Sequence, residues 1–299
     1  MAVYVNTNVS SLNGRRYLNN VQNQLTTTYQ RLSSGMRINS AKDDAAGLQI
    51  SSRLTTQING LNQGNRNASD GIALAQTIEG AMDETTSMLQ KIRTLAVQAA
   101  NGTNTAEDRA ALKKEADALG QEITRIARQT KFGGMTVLDG ANTSAIYGKN
   151  GGNVSSVGKL TLQVGANKGD TIDFEVQTTI MSKLFAAGQG AQALWNKDTG
   201  FTLATADDAS KLIAEVDKVI GQVDGQRAGL GAIQNRLESS IRNQANVSAN
   251  QADARSRIRD ADFAEESANL SQQSIIQQAA TSMLMQANTR PQLGLSLLG

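Results

Sequence analysis

The stretch that decides the fold runs from residue 71 to residue 129: GIALAQTIEGAMDETTSMLQKIRTLAVQAANGTNTAEDRAALKKEADALGQEITRIARQ. Its apolar residues return at helical spacing. Ile72, Ala75, Ile78, Met82, Leu89, Ile92 and Ala96 keep one face. Further on, Leu112, Ala116, Leu119, Ile123 and Ile126 step by 4, 3, 4 and 3, a strict two-per-seven seam. Between the two runs, Thr105 with Asp108 has the form of a capping box with Asp in the place of Glu. Residues Asn101-Gly102-Thr103-Asn104 are then a turn between two antiparallel helices. A helix over 61–100 is about 60 Å long at the standard helical rise. The pattern predicts a mainly α fold: an elongated rod of long antiparallel helices, a coiled-coil-like bundle.

Working outward, similar stripes recur. Leu18, Val21, Leu25, Tyr29 and Leu32 form one near the start. Leu212, Val216, Val219 and Val223 form another, and Leu230, Ile233, Leu237 and Ile241 resume it after Gly225 and Gly229. Phe263, Leu270, Ile276, Ala280, Met283 and Ala287 make a looser stripe near the end. Such narrow stripes suit helices packed in bundles. Ser40 with Asp43 and Thr205 with Asp208 mark two more helix starts. The middle reads differently. Gly133, Gly134, Gly140, Gly148, Gly151 and Gly152 punctuate it. Leu160, Leu162 and Val164 alternate, residues 166–170 turn, and Ile172, Phe174 and Val176 alternate again, which signals a small β-hairpin over 160–176. Residues 177–204 carry little pattern.

Composition removes much chemistry. The 299 residues include no His, no Cys, 1 Pro, 5 Phe, 4 Tyr and 1 Trp. Without Cys there is no disulfide framework, thiolate nucleophile or zinc ribbon. Without His there is no Ser-His-Asp triad and no H-E-x-x-H metal helix. The expectation is a non-enzyme with no metal and no cofactor. Scarce proline fits long uninterrupted helices, and scarce aromatics argue against a thick core. A net charge of +2 gives no reason for a nucleic-acid partner. No apolar run approaches the 18 residues a membrane helix needs, and no N-terminal stretch reads as a secretory signal.

The carboxylate pairs Asp43-Asp44 and Glu265-Glu266 are the nearest approach to acid–base machinery. Each lies near a helix start, where a carboxylate favours the dipole, so the structural reading prevails. Gly133-Gly134 lacks the residues of a phosphate loop and reads as a turn.

Charge is uneven along the chain. Residues 1–42 hold Arg15, Arg16, Arg31, Arg37 and Lys42 and no acid, and after Glu266 the sole charge is Arg290. An acid-poor, Arg-bearing N-terminus fits an organelle transit peptide, a segment that orders on a partner, or an ordinary exposed helix. The matching depletion at the C-terminus favours a partner.

Two motifs carry a family resemblance. Leu32-Ser33-Ser34-Gly35-Met36-Arg37-Ile38-Asn39-Ser40-Ala41-Lys42-Asp43-Asp44-Ala45-Ala46-Gly47-Leu48-Gln49-Ile50 resembles the signature near the start of bacterial flagellins. Ser256-Arg257-Ile258-Arg259-Asp260-Ala261-Asp262-Phe263-Ala264-Glu265-Glu266 resembles its C-terminal counterpart, as do Leu284-Met285-Gln286-Ala287-Asn288 and Leu295-Ser296-Leu297-Leu298. Residues 163–172 resemble the family's core hairpin. The likeness spans about 1–140, 159–176 and 205–299.

The resemblance implies a structural subunit that polymerises with copies of itself into the extracellular flagellar filament for swimming, after unfolded export through the flagellar type III pathway. It implies paired terminal arms, 1–42 with 256–299, that line the inner tube and are disordered in the monomer. It implies a helical rod, 43–176 with 205–255, carrying the hairpin. Residues 177–204 then stand where relatives insert a variable outer domain. Polymerisation contacts fall on Leu18, Val21, Leu25, Leu32, Phe263, Leu270, Ile276, Met283 and Leu284. Implied partners are an export chaperone at the C-terminal arm, filament cap and hook-junction proteins, and the host Toll-like receptor for flagellin. The receptor patch maps to Gln90, Lys91, Arg93, Leu95 and Glu115, with Lys91 where Arg is usual and Thr94 where Glu is usual. Two rival readings are a hook–filament junction protein, which matches the two motifs more loosely, and a soluble coiled-coil module with ends folded in the monomer.

Overall fold

The computed structural model describes residues 7–139, 145–147, 157–187, 195–196 and 199–296. Gly140, Gly148, Gly151, Gly152 and the closing Leu297-Leu298 lie outside the described residues, as do residues 1–6 of the N-terminal arm. The chain divides into two compact units: residues 1–58 with 248–299, and residues 59–247.

Among the described residues six helices dominate: α1 (Val9–Ser34), α2 (Ala45–Ala99), α3 (Ala106–Gln129), α4 (Met181–Ala187), α5 (Ala206–Arg259) and α6 (Phe263–Ser296). Three antiparallel strand pairs accompany them. They are β1 (Lys131–Phe132) with β2 (Met135–Thr136), β3 (Val157–Gln163) with β4 (Thr171–Gln177), and β5 (Trp195–Asn196) with β6 (Gly200–Phe201).

The helix starts follow local hydrogen bonding, with one correction. Thr105 forms the expected capping box on α3, its hydroxyl accepting from Asp108 N while the Asp108 carboxylate accepts from Thr105 N. Hydrogen bonds from the Thr105 hydroxyl and then its N–H hold the Asp108 carboxyl below its ordinary pKa. Thr205 and Asp208 repeat the exchange at α5. Ser40 and Asp43 do not start a helix. Asp43 Oδ2 accepts from Ser40 N at 2.9 Å within a turn, and Asp44 Oδ1 caps α2 by accepting from Gly47 N at 2.9 Å. Accordingly α2 starts at Ala45 and not near residue 61. Gly225 and Gly229 also fail to break their helix: α5 is continuous, and both glycines face open space.

The core of residues 59–247 is the set of seams read from the sequence. Leu74, Ile78, Met82, Leu89 and Ile92 of α2 meet Ala116 and Ile123 of α3 and Leu212, Val216, Val219 and Val223 of α5 in one buried cluster. Arg93–Asp217 and Asp83–Arg227 pairs and a Gln234–Glu79 hydrogen bond set α2 and α5 antiparallel. Gly133 and Gly134 make the β1–β2 turn with φ of 58° and 84°, a left-handed pair that glycine adopts freely.

The β3–β4 hairpin forms as expected, with Leu160 opposite Phe174 and Leu162 opposite Ile172. Its tip rests on glycines of α2. A Cβ on Gly64 would stand 2.2 Å from Val164 O, and one on Gly60 would stand 2.7 Å from Ala166 Cβ. The Gln244 amide of α5 donates to the same Val164 carbonyl. Gly64→Ala therefore displaces the hairpin tip, at about 1–3 kcal/mol for overpacking, and hydrogen exchange at Val164 speeds up. Gly80→Ala, in open space on the same helix, leaves that exchange unchanged; equal effects from both would remove the steric explanation.

Residues 177–204 are not patternless filler. Thr178, Thr179, Ile180, Met181, Leu184, Phe185, Trp195, Phe201 and Leu203 are all buried. Phe201 meets Phe185 edge-on with ring centroids 5.7 Å apart and Trp195 at 4.7 Å. Gly120 of α3 admits them: a Cβ there would lie 3.0 Å from the Trp195 ring. Asp117 Oδ1 accepts from Phe201 N at 2.7 Å, and Lys113 Nζ donates to Thr199 O at 2.7 Å. Three of the ten aromatics meet at this one place, so their scarcity does not thin the core there.

Candidate assembly surface

In the unit formed by residues 1–58 and 248–299, α1 and α6 run antiparallel. Val21, Leu25 and Thr28 are buried between them, and Leu18, Leu32, Leu270 and Leu284 are half-buried. Gly14 lets α6 approach closely, since a Cβ there would lie 3.1 Å from Leu284 Cδ1. Polar bonds key the pairing along its length. Asn8 Nδ2 donates to Ala287 O at 2.7 Å while its Oδ1 caps α1 at Ser11 N. Ser11 Oγ donates to Asn288 Oδ1 at 2.7 Å, and Thr28 Oγ1 to Gln273 Oε1 at 3.3 Å.

Where the chain segments cross, Gly35 ends α1 at φ 68°. Its carbonyl accepts from Ala261 N at 3.0 Å, and Arg37 N donates to Arg259 O at 2.6 Å. The Arg31 guanidinium meets Glu266 Oε1 at 3.0 Å, with the Glu266 side chain only 9% exposed. Arg31 Nε has no partner among the described residues. Removing Glu266 therefore leaves a half-buried cation to the weaker field of Asp43. Glu266→Ala costs about 1–3 kcal/mol in whatever state holds these helices together, which is about a tenfold loss of affinity per 1.4 kcal/mol. The critical concentration for self-assembly reads it; no rise would place the pair outside the assembled state.

Pairing leaves much apolar surface uncovered. Of the thirteen large hydrophobics that are exposed among the described residues, ten lie in this unit. Val9, Leu12, Tyr17 and Tyr29 stand out from α1, and Ile275, Ile276, Met283 and Met285 from α6. A groove of about 860 Å³ runs between the two helices, lined by Gly14, Tyr17, Val21, Ile276, Ala280, Met283 and Ala287. No acid or base lies among its lining residues. Contiguous exposed apolar surface of this kind marks a binding face.

The sequence-derived residues divide between two roles. Val21 and Leu25 pack within the chain, with Leu18, Leu32, Leu270 and Leu284 at the edge of that packing. Phe263 at 58%, Ile276 at 42% and Met283 at 67% exposure are free to meet another molecule. Val9, Leu12, Tyr17, Ile275 and Met285 belong with them but lie off the stripe. The signal was present: Met283-Leu284-Met285 is three apolar residues in a row, which no single helix face can hide.

The second candidate patch is mixed. Gln90, Lys91 and Glu115 are exposed, Arg93 is exposed but engaged by Asp217, and Leu95 is buried in the core cluster. Leu89, Ile92 and Ala96 are buried as that helix face requires, whereas Val97 is 49% exposed.

The carboxylate pairs are structural: Asp44 caps α2, Asp43 closes a turn, and Glu266 pairs with Arg31. Among the described residues no group of three carboxylates is placed to hold a metal ion. No described helix is long and apolar enough to cross a membrane.

Comparison with known proteins gives a consistent result. Residues 5–143 match the model of the bacterial flagellin N-terminal helical region, and residues 213–298 match that of the C-terminal helical region. The chain is 37% identical to flagellin B of Vibrio anguillarum over 377 aligned positions, covering 100% of both proteins. It is 36% identical to polar flagellin C of Vibrio parahaemolyticus over 383 positions, again covering 100% of both. Among solved structures, a putative flagellar hook-associated protein from Vibrio parahaemolyticus aligns with TM-score 0.57 at 15% identity, covering 73% of this chain and 100% of that one. That last likeness speaks for the fold alone.

Proposed function

Because this chain belongs to the bacterial flagellin family, it is a non-enzymatic subunit of the extracellular flagellar filament, and we propose that the exposed α1–α6 face is where each copy meets the next. The observation that carries this reading is the concentration of uncovered apolar side chains on the paired terminal helices. Contacts of one copy with a different face of the next do not close, so they generate a filament and not a ring. The β3–β4 hairpin, held on α2 by glycines, is the candidate for an element with two packings that sets supercoil.

The terminal arms, 1–42 with 256–299, are disordered before assembly and order on it; their low charge and their many Asn, Gln, Ser and Thr support this. Export proceeds unfolded through the flagellar type III pathway, which a chain without Cys and with one Pro suits. An export chaperone holds the C-terminal arm, and cap and hook-junction proteins meet the two filament ends. Residues 177–204 occupy the place of the outer domain. The alignment of 299 residues against relatives over 377 positions fits a chain that lacks much of it. The host Toll-like receptor reads Gln90, Lys91, Arg93 and Glu115, with Leu95 supporting them from beneath. Lys91 cannot form the bidentate fork of an Arg, so recognition is weaker than in relatives that carry one.

Purified chain added to filament fragments tests the assembly reading by negative-stain microscopy. Growth of thin, smooth filaments supports it, and soluble oligomers of constant length overturn it. Chymotrypsin cleavage confined to residues 1–40 and 260–299 of the free chain, at sites such as Tyr17 and Phe263, supports disordered arms; protection there overturns that part.

A further inference from the structure

Four Asn-Gly pairs occur in the sequence: Asn13-Gly14, Asn59-Gly60, Asn101-Gly102 and Asn150-Gly151. Glycine puts no Cβ in the path between an asparagine side chain and the backbone nitrogen that follows it. Asn150-Gly151 lies outside the described residues. Asn13-Gly14 is inside α1 and Asn59-Gly60 inside α2. There the glycine N–H is committed to the carbonyl four residues back, and the helical backbone keeps the nitrogen from the side-chain carbon.

Asn101-Gly102 differs on each point. Both residues are exposed in the turn between α2 and α3. No described residue accepts a hydrogen bond from Gly102 N. The Asn101 side chain curls back along its own turn, its Oδ1 within 3.5 Å of Thr103 N. That contact keeps the side chain beside its own turn.

We propose that Asn101 is a site of spontaneous deamidation selected by this turn. The Gly102 nitrogen gives its proton to solvent and attacks Asn101 Cγ. A Cγ–N bond forms, the Cγ–Nδ2 bond breaks, and ammonia leaves. Water then opens the five-membered imide. Attack at Cγ yields aspartate; attack at the main-chain carbonyl yields isoaspartate, with the chain rerouted through the side-chain carbon. Water is the only co-reactant.

Either product places a negative charge just past the C-terminal end of α2, where the helix dipole disfavours it. Arg109 Nη1, 3.4 Å from Asn101 O, partly offsets that charge. Asn101 also donates to Gln98 O at 3.1 Å and accepts from Asn104 N at 3.2 Å. The extra main-chain atom of isoaspartate separates these two bonds and loosens the helical turn.

The test is incubation of the full chain at mildly alkaline pH, with peptide mass mapping of the gain from replacing –NH2 by –OH. Asn59, in the same compact unit, is the internal reference. Asn101 converts at least about tenfold faster than Asn59, because only the latter needs local helix opening first. In concentrated urea the two rates converge. Gly102→Ala slows conversion at Asn101 without harm to the fold, since its added Cβ meets nothing within 4 Å and its φ is not in the left-handed region. Equal rates in the folded chain, or a Gly102→Ala variant that converts as fast as the parent, overturn the proposal.

Discussion

Replacing Ile275 and Met283 together by aspartate ends filament elongation and leaves the free chain's helical content unchanged. Both side chains are 67% exposed in the single chain. Surface changes of this kind alter folding by about 0.5 kcal/mol or less. On the assembly face proposed above these side chains are covered in the filament, and an unpaired carboxylate taken out of water costs several kcal/mol. A loss of about 2.7 kcal/mol per subunit raises the critical concentration about a hundredfold. Seeded growth followed by light scattering, with circular dichroism of the monomer as control, reads both effects. Growth at the parent's rate would show that this side of α6 faces solvent in the filament. The contrast with Glu266→Ala is informative: that change weakens pairing within a chain, whereas this one weakens only contact between chains.

Phe201→Ala is the largest expected change in stability. Phe201 is 1% exposed and touches both Phe185 and Trp195. Removing a buried Phe ring costs about 3–5 kcal/mol, including the cavity left behind. Trp195 is the sole tryptophan, so intrinsic fluorescence reports this site alone. The variant shows a red-shifted emission before unfolding and a lower denaturant midpoint. A midpoint within error of the parent's would mean that residues 195–203 are an appendage and not part of the core.

This second prediction bears on what could be read from residues alone. The helical seams were legible because period and burial coincide there: Leu89, Ile92, Ala116, Ile123, Leu212 and Val216 are each essentially inaccessible. The hairpin was legible because alternation and burial coincide along β4, where Ile172, Phe174 and Val176 face in. Residues 177–204 were not legible, because a seven-residue helix and a pair of two-residue strands are too short to show a period. Their burial comes from tertiary placement on Gly120 and Asp117. The start of α2 was missed for a related reason. Ser40 and Asp43 have capping-box spacing but close a turn, and the true cap is the neighbouring Asp44. At the assembly surface, the stripe located the pairing face through Val21 and Leu25. It did not locate the uncovered face, since Tyr17, Ile275 and Met285 obey no single helical period.

The hydrogen bond from Asn8 to Ala287 has a further consequence. The lone proline of the chain is Pro291, four positions beyond Ala287 within α6. Proline has no N–H, so the Ala287 carbonyl loses the donor that every ordinary helix supplies. Asn8 fills that vacancy at 2.7 Å with one end of its amide while the other end caps α1. A missing hydrogen thus acts as an address label on an otherwise monotonous helix of Gln, Ser and Ala. Sliding α1 by one turn along α6 would strand that carbonyl, so the two chain ends can agree on a single alignment.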